Sequence, residues 1–345
     1  MAIDDRKQRV LRAIVRLYGT AGEPVGSGLL AEDFGRAVSS ATLRNEMKAL
    51  EKLGLLEQPH TSAGRVPSSK GYRYYIDNLL TTRALTPRER ALADEMFREM
   101  DYDPERLAQS AAKALADWTG YTAVATTPQS RDLYIAHYEV MQVGRCTAAV
   151  LAVTSAGGVN TRTAKLDVSL EPQDAENLAR ALNENLTFRS APDIGTAQLQ
   201  EASSQLGGRG GVLYPVISAA YKLLREAGSA KVFLEGQENF LRHTVPGAEQ
   251  SFRTLMEFFA DSEAVKRAVS PRSERTTILL GDEIEDYPMP GFCIMSKRYV
   301  AGGGQAGTIA LVGPMRMPYT EMIPRLEYFA LLLGECMSGR PEHDR

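Results

Sequence analysis

"VSSATLRNEMKALEKLGLLEQPHTSAGRVPSSKGYRYYID", residues 38–77, decides the fold of the N-terminal part of the chain. Ser39 or Ser40 can cap a helix that Gly54 ends. On a helical wheel Leu43, Met47 and Leu50 share one face, the buried one, while Ala41, Arg44, Asn45, Lys48 and Lys52 fall roughly opposite. Arg, Asn and Lys side chains read guanine and adenine edges or hold phosphates. A small residue such as Ala41 at the N-terminal end, beside Thr42, lets such a helix approach a groove floor closely. "LLEQP" can then run as a short strand, and "HTSAGRVP" has Gly64 for a turn and Pro67 as an edge or stop. A strand, a turn and a return make a wing. It would lay backbone N–H groups, His60, the hydroxyls of Thr61 and Ser62, and Arg65 against a polyanion. From Gln58 through Ile76 there is no Asp or Glu. Duplex DNA carries one negative charge per ~1.7 Å of axis, which would disfavour a carboxylate here. "SSKGYRYYIDNLL" closes the segment as a helix capped by Ser68 or Ser69. Tyr72, Tyr75, Ile76 and Leu79 are spaced to pack, leaving Lys70 and Arg73 as candidates for backbone contacts.

Upstream, "DDRKQRVLRAIVRLYG" reads as an amphipathic helix stopped by Gly19, and "SGLLAEDFG" as a short helix with Ser27 as N-cap and Gly35 as its stop. "AGEPVG" between them is turn chemistry. Two short helices and a longer one make a helix-turn-helix, whose last helix is the reader. A three-helix bundle with a solvated basic face has the same pattern. Residues 1–83 hold 13 Lys/Arg against 9 Asp/Glu, whereas the remainder holds 27 against 34. A basic first unit on an acidic body suggests a polyanion partner for the first unit.

At 345 residues and 43% hydrophobic, the chain is long enough for two or three domains. Cys146, Cys293 and Cys336 are far apart and form no CxxC pair, which fits a reducing cytoplasm rather than a disulfide framework. The N-terminus is charged where a signal peptide is apolar, and "CTAAVLAV", 146–153, is too short to span a bilayer. The expectation is a cytoplasmic protein without a membrane partner. His60, His137, His243 and His343 lack metal-ligand spacing, and "GGGQAG", 302–307, lacks the Lys-Ser/Thr of a P-loop. No nucleophile has a credible base. Catalytic residues, metal and cofactor are therefore all expected to be none.

The rest reads as α+β. Thr86 and Pro87 start a helix that could run to about Asp117. "YTAVATTP" and residues 133–168 follow as antiparallel strands, with "SAGG" as a hairpin. Residues 169–229 turn helical and polar, as an insertion would. Val212, Ile217, Tyr221 and Leu224 form a stripe that is either a dimer face or an intramolecular core. "KVFLEG" precedes a helix at 250–268. Strands at "TTILLG", "CIMSKRYV" and "GTIALVG" lead to a closing helix from Tyr319 to about Met337, completing a mixed sheet flanked by helices.

The 38–77 block closely resembles the signature of HrcA, the bacterial heat-inducible transcription repressor family. The resemblance continues at "EPVGSGLLAE", "VFLEGQENFL" and "AGTIALVGPMRMPYTEMIPRLEYFALLL", and so runs over essentially the whole length. Leu43 and Val66 stand where Ile would equally be expected, and "GDEIEDY", 281–287, is less typical. The resemblance implies an N-terminal winged helix-turn-helix over 1–83. It also implies a GAF-like mixed α/β domain over 84–168 and 230–345, and an inserted, mainly helical dimerisation domain over 169–229. It implies a homodimer that binds double-stranded DNA at the CIRCE inverted repeat of chaperone operons, held active by the GroEL chaperonin. Carried onto this chain, the reader falls on Ser40–Leu53 and the wing on His60–Pro67. A small-ligand-sensing regulator and an enzyme with an ancillary winged helix are the other function classes considered.

Overall fold

The computed structural model describes residues 3–60, 63–129, 133–155, 158–242, 249–302 and 305–339. They form a mixed α+β chain with three sheets. The chain divides into two compact units, Met1–Thr127 with Val232–Arg345, and Pro128–Lys231.

The first unit opens with α1 (Asp5–Ala21), whose N-cap Asp4 accepts from the Lys7 backbone N–H, and which ends at Gly22 with φ 72°. Next come α2 (Ser27–Asp33), α3 (Ser40–Lys52), the short antiparallel ladder β1 (Leu56–Glu57) and β2 (Val66–Pro67), and α4 (Ser69–Asn78). Val25, in the stretch read from sequence as turn alone, adds a third position to this ladder. Its N–H donates to Arg65 O and its carbonyl accepts from Arg65 N, both at 2.9 Å. Leu11, Ile14, Leu30, Leu43, Leu50 and Tyr72 are buried where these helices meet.

α5 (Pro87–Arg98) starts at a capping box made by Thr86 and Glu89. The helix expected to run to Asp117 is instead two. Asp103 caps, and Pro104 begins, α6 (Pro104–Thr119), because a proline lacks the N–H that a continuing helix would need. Glu89 also accepts from Arg83 at 2.6 and 2.7 Å and from Arg325 at 3.0 Å. The Arg83 hydrogen bonds, then the Thr86 backbone N–H, hold its carboxyl well below the usual 4.5. A depressed folded pKa adds stability that is complete above pH 4.5 and is lost as pH falls towards the folded value. Glu89→Gln is therefore expected to lower the melting temperature at pH 7 by about 3–6 °C. The gap from the parent chain should narrow in melts below pH 4.5. A gap independent of pH would show that the charge is not what matters.

After β3 (Thr122–Thr126), the chain enters the second unit. Strands β4 (Ile135–Gly144), β5 (Thr147–Thr154) and β6 (Val159–Lys165) form an antiparallel meander. α7 (Pro172–Leu186), α8 (Thr196–Ser204) and α9 (Gly210–Ala227) pack on it around Tyr138, Val150, Leu182, Ile217 and Leu224. Asn183 clasps β4 by accepting from Tyr138 N at 2.9 Å and donating to Tyr138 O at 2.8 Å. Among the described residues these strands, placed from sequence with the larger sheet, pair only among themselves, and the compact unit that holds them, Pro128–Lys231, spans more than residues 169–229. The α9 stripe is largely core. Ile217 and Leu224 are fully buried and Tyr221 is partly buried, while Val212 is 44% exposed beside the exposed Tyr214. Ala156 and Gly157 of the expected "SAGG" hairpin lie outside the described residues.

Back in the first unit are β7 (Val232–Glu235), α10 (Glu249–Ala260), α11 (Ser262–Val269), β8 (Thr277–Leu280), β9 (Phe292–Val300), β10 (Ala306–Pro314) and α12 (Tyr319–Met337). With β3 the strands form a sheet of order β7-β3-β10-β9-β8, all neighbours antiparallel. Both faces are covered, and the strand period of two sorts the side chains. Ala123, Ala125, Met295, Ile309 and Leu311 face the core that holds Leu115 and Phe329 of α6 and α12. Val124, Ile294, Ala310 and Val312 face Phe258 and Val265 of α10 and α11. The first of these clusters also contains Leu11, Leu43, Leu50 and Tyr72, so the N-terminal helices share a core with the sheet layer. Tyr72 lies against Tyr319, ring centroids 6.4 Å apart. Gly303 and Gly304 of the β9–β10 connection lie outside the described residues. Among the described residues no helix is long and apolar enough to cross a membrane.

Candidate nucleic-acid interface

α3 is held from both ends. At its start the Ser39 hydroxyl accepts from Thr42 N at 3.1 Å and lies 2.9 Å from the Thr42 hydroxyl, while Ser40 donates to Ser27 Oγ at 2.9 Å. At its end Gly54 takes φ 73°, and Lys70 of α4 donates to Leu53 O at 3.0 Å. Leu43, Met47 and Leu50 face inward. Ser39, Ala41, Arg44, Asn45 and Lys48 are exposed, with Thr42 half-buried. Arg44, Asn45 and Lys48 make no side-chain hydrogen bond or ion pair with the described residues, whereas Glu46 on the flank of α3 is held by Lys7 at 3.2 Å. A face of unsatisfied donors on a helix fixed at both ends is chemically suited to recognising acceptors on a rigid partner.

The hairpin beside α3 is fixed by glycine and by ion pairing. A Cβ on Gly64 would lie 2.3 Å from Val25 O, so only glycine lets the returning strand reach the Val25 bridge. Gln58 Nε2 donates to Ala63 O at 3.0 Å across the turn, and His60 is exposed at its edge. Thr61 and Ser62 lie outside the described residues.

Two of the cations read from sequence as candidate DNA contacts have partners within the chain. Arg65 is half-buried, and its Nε donates to Glu51 Oε2 at 3.0 Å, tying the hairpin to the last turn of α3. Arg73 faces the sheet layer. Its Nε donates to Glu283 Oε1 at 2.9 Å, its Nη2 to Glu283 Oε2 and to Ile278 O at 2.7 Å, and its Nη1 to Asp77 at 3.3 Å. Arg73 is thus engaged as a latch between α4 and the end of β8, a role that its sequence reading as a candidate backbone contact did not include. The reason is length: from α4 the side chain reaches a carboxylate 210 residues away in sequence. Lys70 keeps donors free beyond its bond to Leu53 and is exposed.

Glu283, in "GDEIEDY", had no role assigned from sequence. It also accepts from Leu280 N at 2.9 Å, which fixes its carboxylate for Arg73. No local pattern announces such a partner. A double-mutant cycle of Arg73→Ala and Glu283→Ala, read by denaturant unfolding, is expected to give a coupling of about 1 kcal/mol, since both groups are part-exposed. A coupling near zero would remove the latch.

Among the described residues no group of three His, Cys, Asp or Glu could hold a metal ion. Residues 105–323 match the family model described as "HrcA protein C terminal domain". Over 98% of both chains, this one is 32% identical to the heat-inducible transcription repressor HrcA of Desulforudis audaxviator. It is 32% identical, again over 98% of each, to that of Moorella thermoacetica. A crystal structure described as a hypothetical protein is similar over 98% of this chain and 99% of that one, at 28% identity and a TM-score of 0.61. The Desulforudis and Moorella relatives are named heat-inducible transcription repressors, and the chain belongs to the HrcA family.

Proposed function

We propose that the protein is a sequence-specific transcriptional repressor of heat-shock chaperone operons. It binds the CIRCE inverted repeat as a homodimer, and the GroEL chaperonin keeps it active. The observation that carries this reading is the outer face of α3, with Arg44, Asn45 and Lys48 exposed and unpartnered among the described residues, beyond the small Ala41. In this reading residues 1–83 are a winged helix-turn-helix with α3 in the major groove. The exposed His60 edge and Lys70 meet the backbone, and Ser39 and Thr42 lie nearest the phosphates at the helix start. The layer built on β3 and β7–β10 is the GAF-like domain, and the unit Pro128–Lys231 is the dimerising insertion. A dimer is required geometrically, since one reading helix covers a half-site and two-fold symmetry matches an inverted repeat. The heat-inducible repressors among the relatives support the regulatory role.

A gel shift on an inverted-repeat operator, with and without chaperonin, tests it. The expected result is a two-fold-symmetric complex whose yield rises with chaperonin. Full-strength binding that chaperonin leaves unchanged would exclude the chaperonin arm. Failure to prefer the repeat over scrambled duplex would exclude the whole reading.

A further inference from the structure

α1 carries Arg9, Arg12 and Arg16 on successive turns, within about 60° of one another on the helical wheel. All three are exposed, and with Ala13 they line one side of a shallow cleft of about 330 Å³. Asp33 and Phe34, at the end of α2, line the other side. Two of the guanidiniums are held in place. Arg9 lies over the Phe34 ring, 5.4 Å from its centroid, and Arg16 donates from Nη2 to Asp33. Arg12 stands between them. Neither Arg12 nor Arg9 makes a hydrogen bond or ion pair with the described residues. The lining thus sets three guanidiniums against one carboxylate, and that carboxylate engages only Arg16.

Charge, length and lining select the ligand. Two positive charges remain unbalanced, so a multiply charged anion fits and a neutral body does not. From Arg9 to Arg16 the row runs about 10 Å at the helical rise, more than one phosphate or carboxylate can bridge. Guanidinium forks take phosphate oxygens in pairs. The apolar part of the lining is small: Ala13 has no more than a methyl group, and Arg9 already covers a face of Phe34. Position then separates a free ligand from a duplex. Lys7, on the opposite side of α1 from the arginines, reaches Glu46 of α3 at 3.2 Å. Glu46 in turn stands about 200° round α3 from both Arg44 and Lys48. α1 therefore stands between the arginine row and α3, away from a duplex lying on the outer face of α3.

We propose that this cleft binds a free oligophosphate chain. A middle phosphate lies on Arg12, and its neighbours lie on Arg9 and Arg16. Asp33 holds Arg16 in the row and at the same time offsets part of its charge, so the site is weaker than its three guanidiniums alone would make it. The site stands apart from the DNA reading, which it neither needs nor tests.

The test is a calorimetric titration of the full chain with sodium tripolyphosphate, inorganic monophosphate and citrate at one ionic strength. Saturable binding of tripolyphosphate is expected, about tenfold or more tighter than that of monophosphate or citrate. Arg12→Gln should weaken it by about tenfold and Arg9→Gln by about fivefold, while Asp33→Asn should tighten it by about threefold. Arg44→Ala combined with Lys48→Ala should leave it unchanged. The site is overturned if Arg12→Gln, an exposed change that leaves the fold alone, binds tripolyphosphate as the parent does. Equal affinity for citrate overturns the phosphate chain. Loss of tripolyphosphate binding in the Arg44 and Lys48 double variant overturns the cleft in favour of diffuse charge. The same Arg12→Gln chain is titrated with scrambled duplex. A loss of duplex affinity as large as the loss for tripolyphosphate would make DNA backbone the occupant and overturn the free ligand.

Discussion

Alanine at Arg44 or at Asn45 is expected to lower affinity for an inverted-repeat operator by about 100-fold or more. A bidentate base contact is worth ~1–3 kcal/mol, and the proposed two-fold dimer would forfeit it in both half-sites. Binding to unrelated duplex should change much less. Asn45 carries no charge, and Arg44 contributes only one positive charge per chain to a nonspecific interaction dominated by counterion release. Lys48→Ala makes the useful contrast. If it meets phosphate, affinity should fall on all sequences alike, and the salt slope should drop by about one unit for each phosphate no longer neutralised. Fluorescence anisotropy on operator and scrambled duplex at matched salt separates these outcomes. If both Arg44→Ala and Asn45→Ala keep the parental discrimination between the two duplexes, α3 is not the reader.

Gly71→Ala is expected to unfold or gravely loosen the N-terminal helices, at a cost of about 3 kcal/mol or more. Alanine would ordinarily favour a helix by about 1 kcal/mol over glycine. Here the added Cβ would lie 2.0 Å from the Leu55 carbonyl oxygen, a backbone atom of a buried residue. Nothing there can rotate away, so α4 must lift from β1, and with it the cap that Lys70 places on the end of α3. The clash outweighs the propensity gain. Thermal unfolding should show an early transition in Gly71→Ala that Gly28→Ala lacks, because a Cβ on Gly28 meets nothing within 4 Å. Equal melting of the two variants would mean that α4 and β1 need no close approach.

What could be read from sequence was what repeats locally. The spacing of Leu43, Met47 and Leu50 fixed which face of α3 is buried, and so which residues are exposed. Thr86 with Pro87 marked the start of α5, and α12 runs over Tyr319–Met337 as its pattern predicts. What could not be read depended on partners distant in sequence. Arg73 looked like a free cation because Glu283 is 210 residues away. Arg65 looked free because Glu51 lies on the far end of the preceding helix. Gly64 looked like a turn residue and Gly71 carried no reading, whereas their role is to let backbone pass at Val25 and Leu55. The strands β4–β6 are rich in β-branched residues as many strands are, and that composition does not say which strands pair. Their separation into a second sheet was therefore invisible.

Central to the proposed function is that two copies of α3 read one inverted repeat. The most direct measurement is a titration of the full chain against three duplexes at one salt concentration: the inverted repeat, the same half-sites with five base pairs inserted between them, and one half-site alone. Half-site spacing fixes the relation between the two reading helices, since one helical turn is about 10–10.5 base pairs. The insertion therefore turns one half-site to the opposite side of the duplex. The expected result is tight binding of the intact repeat by two chains, with the other two duplexes bound at least about 100-fold more weakly. Equal affinity for all three would contradict it.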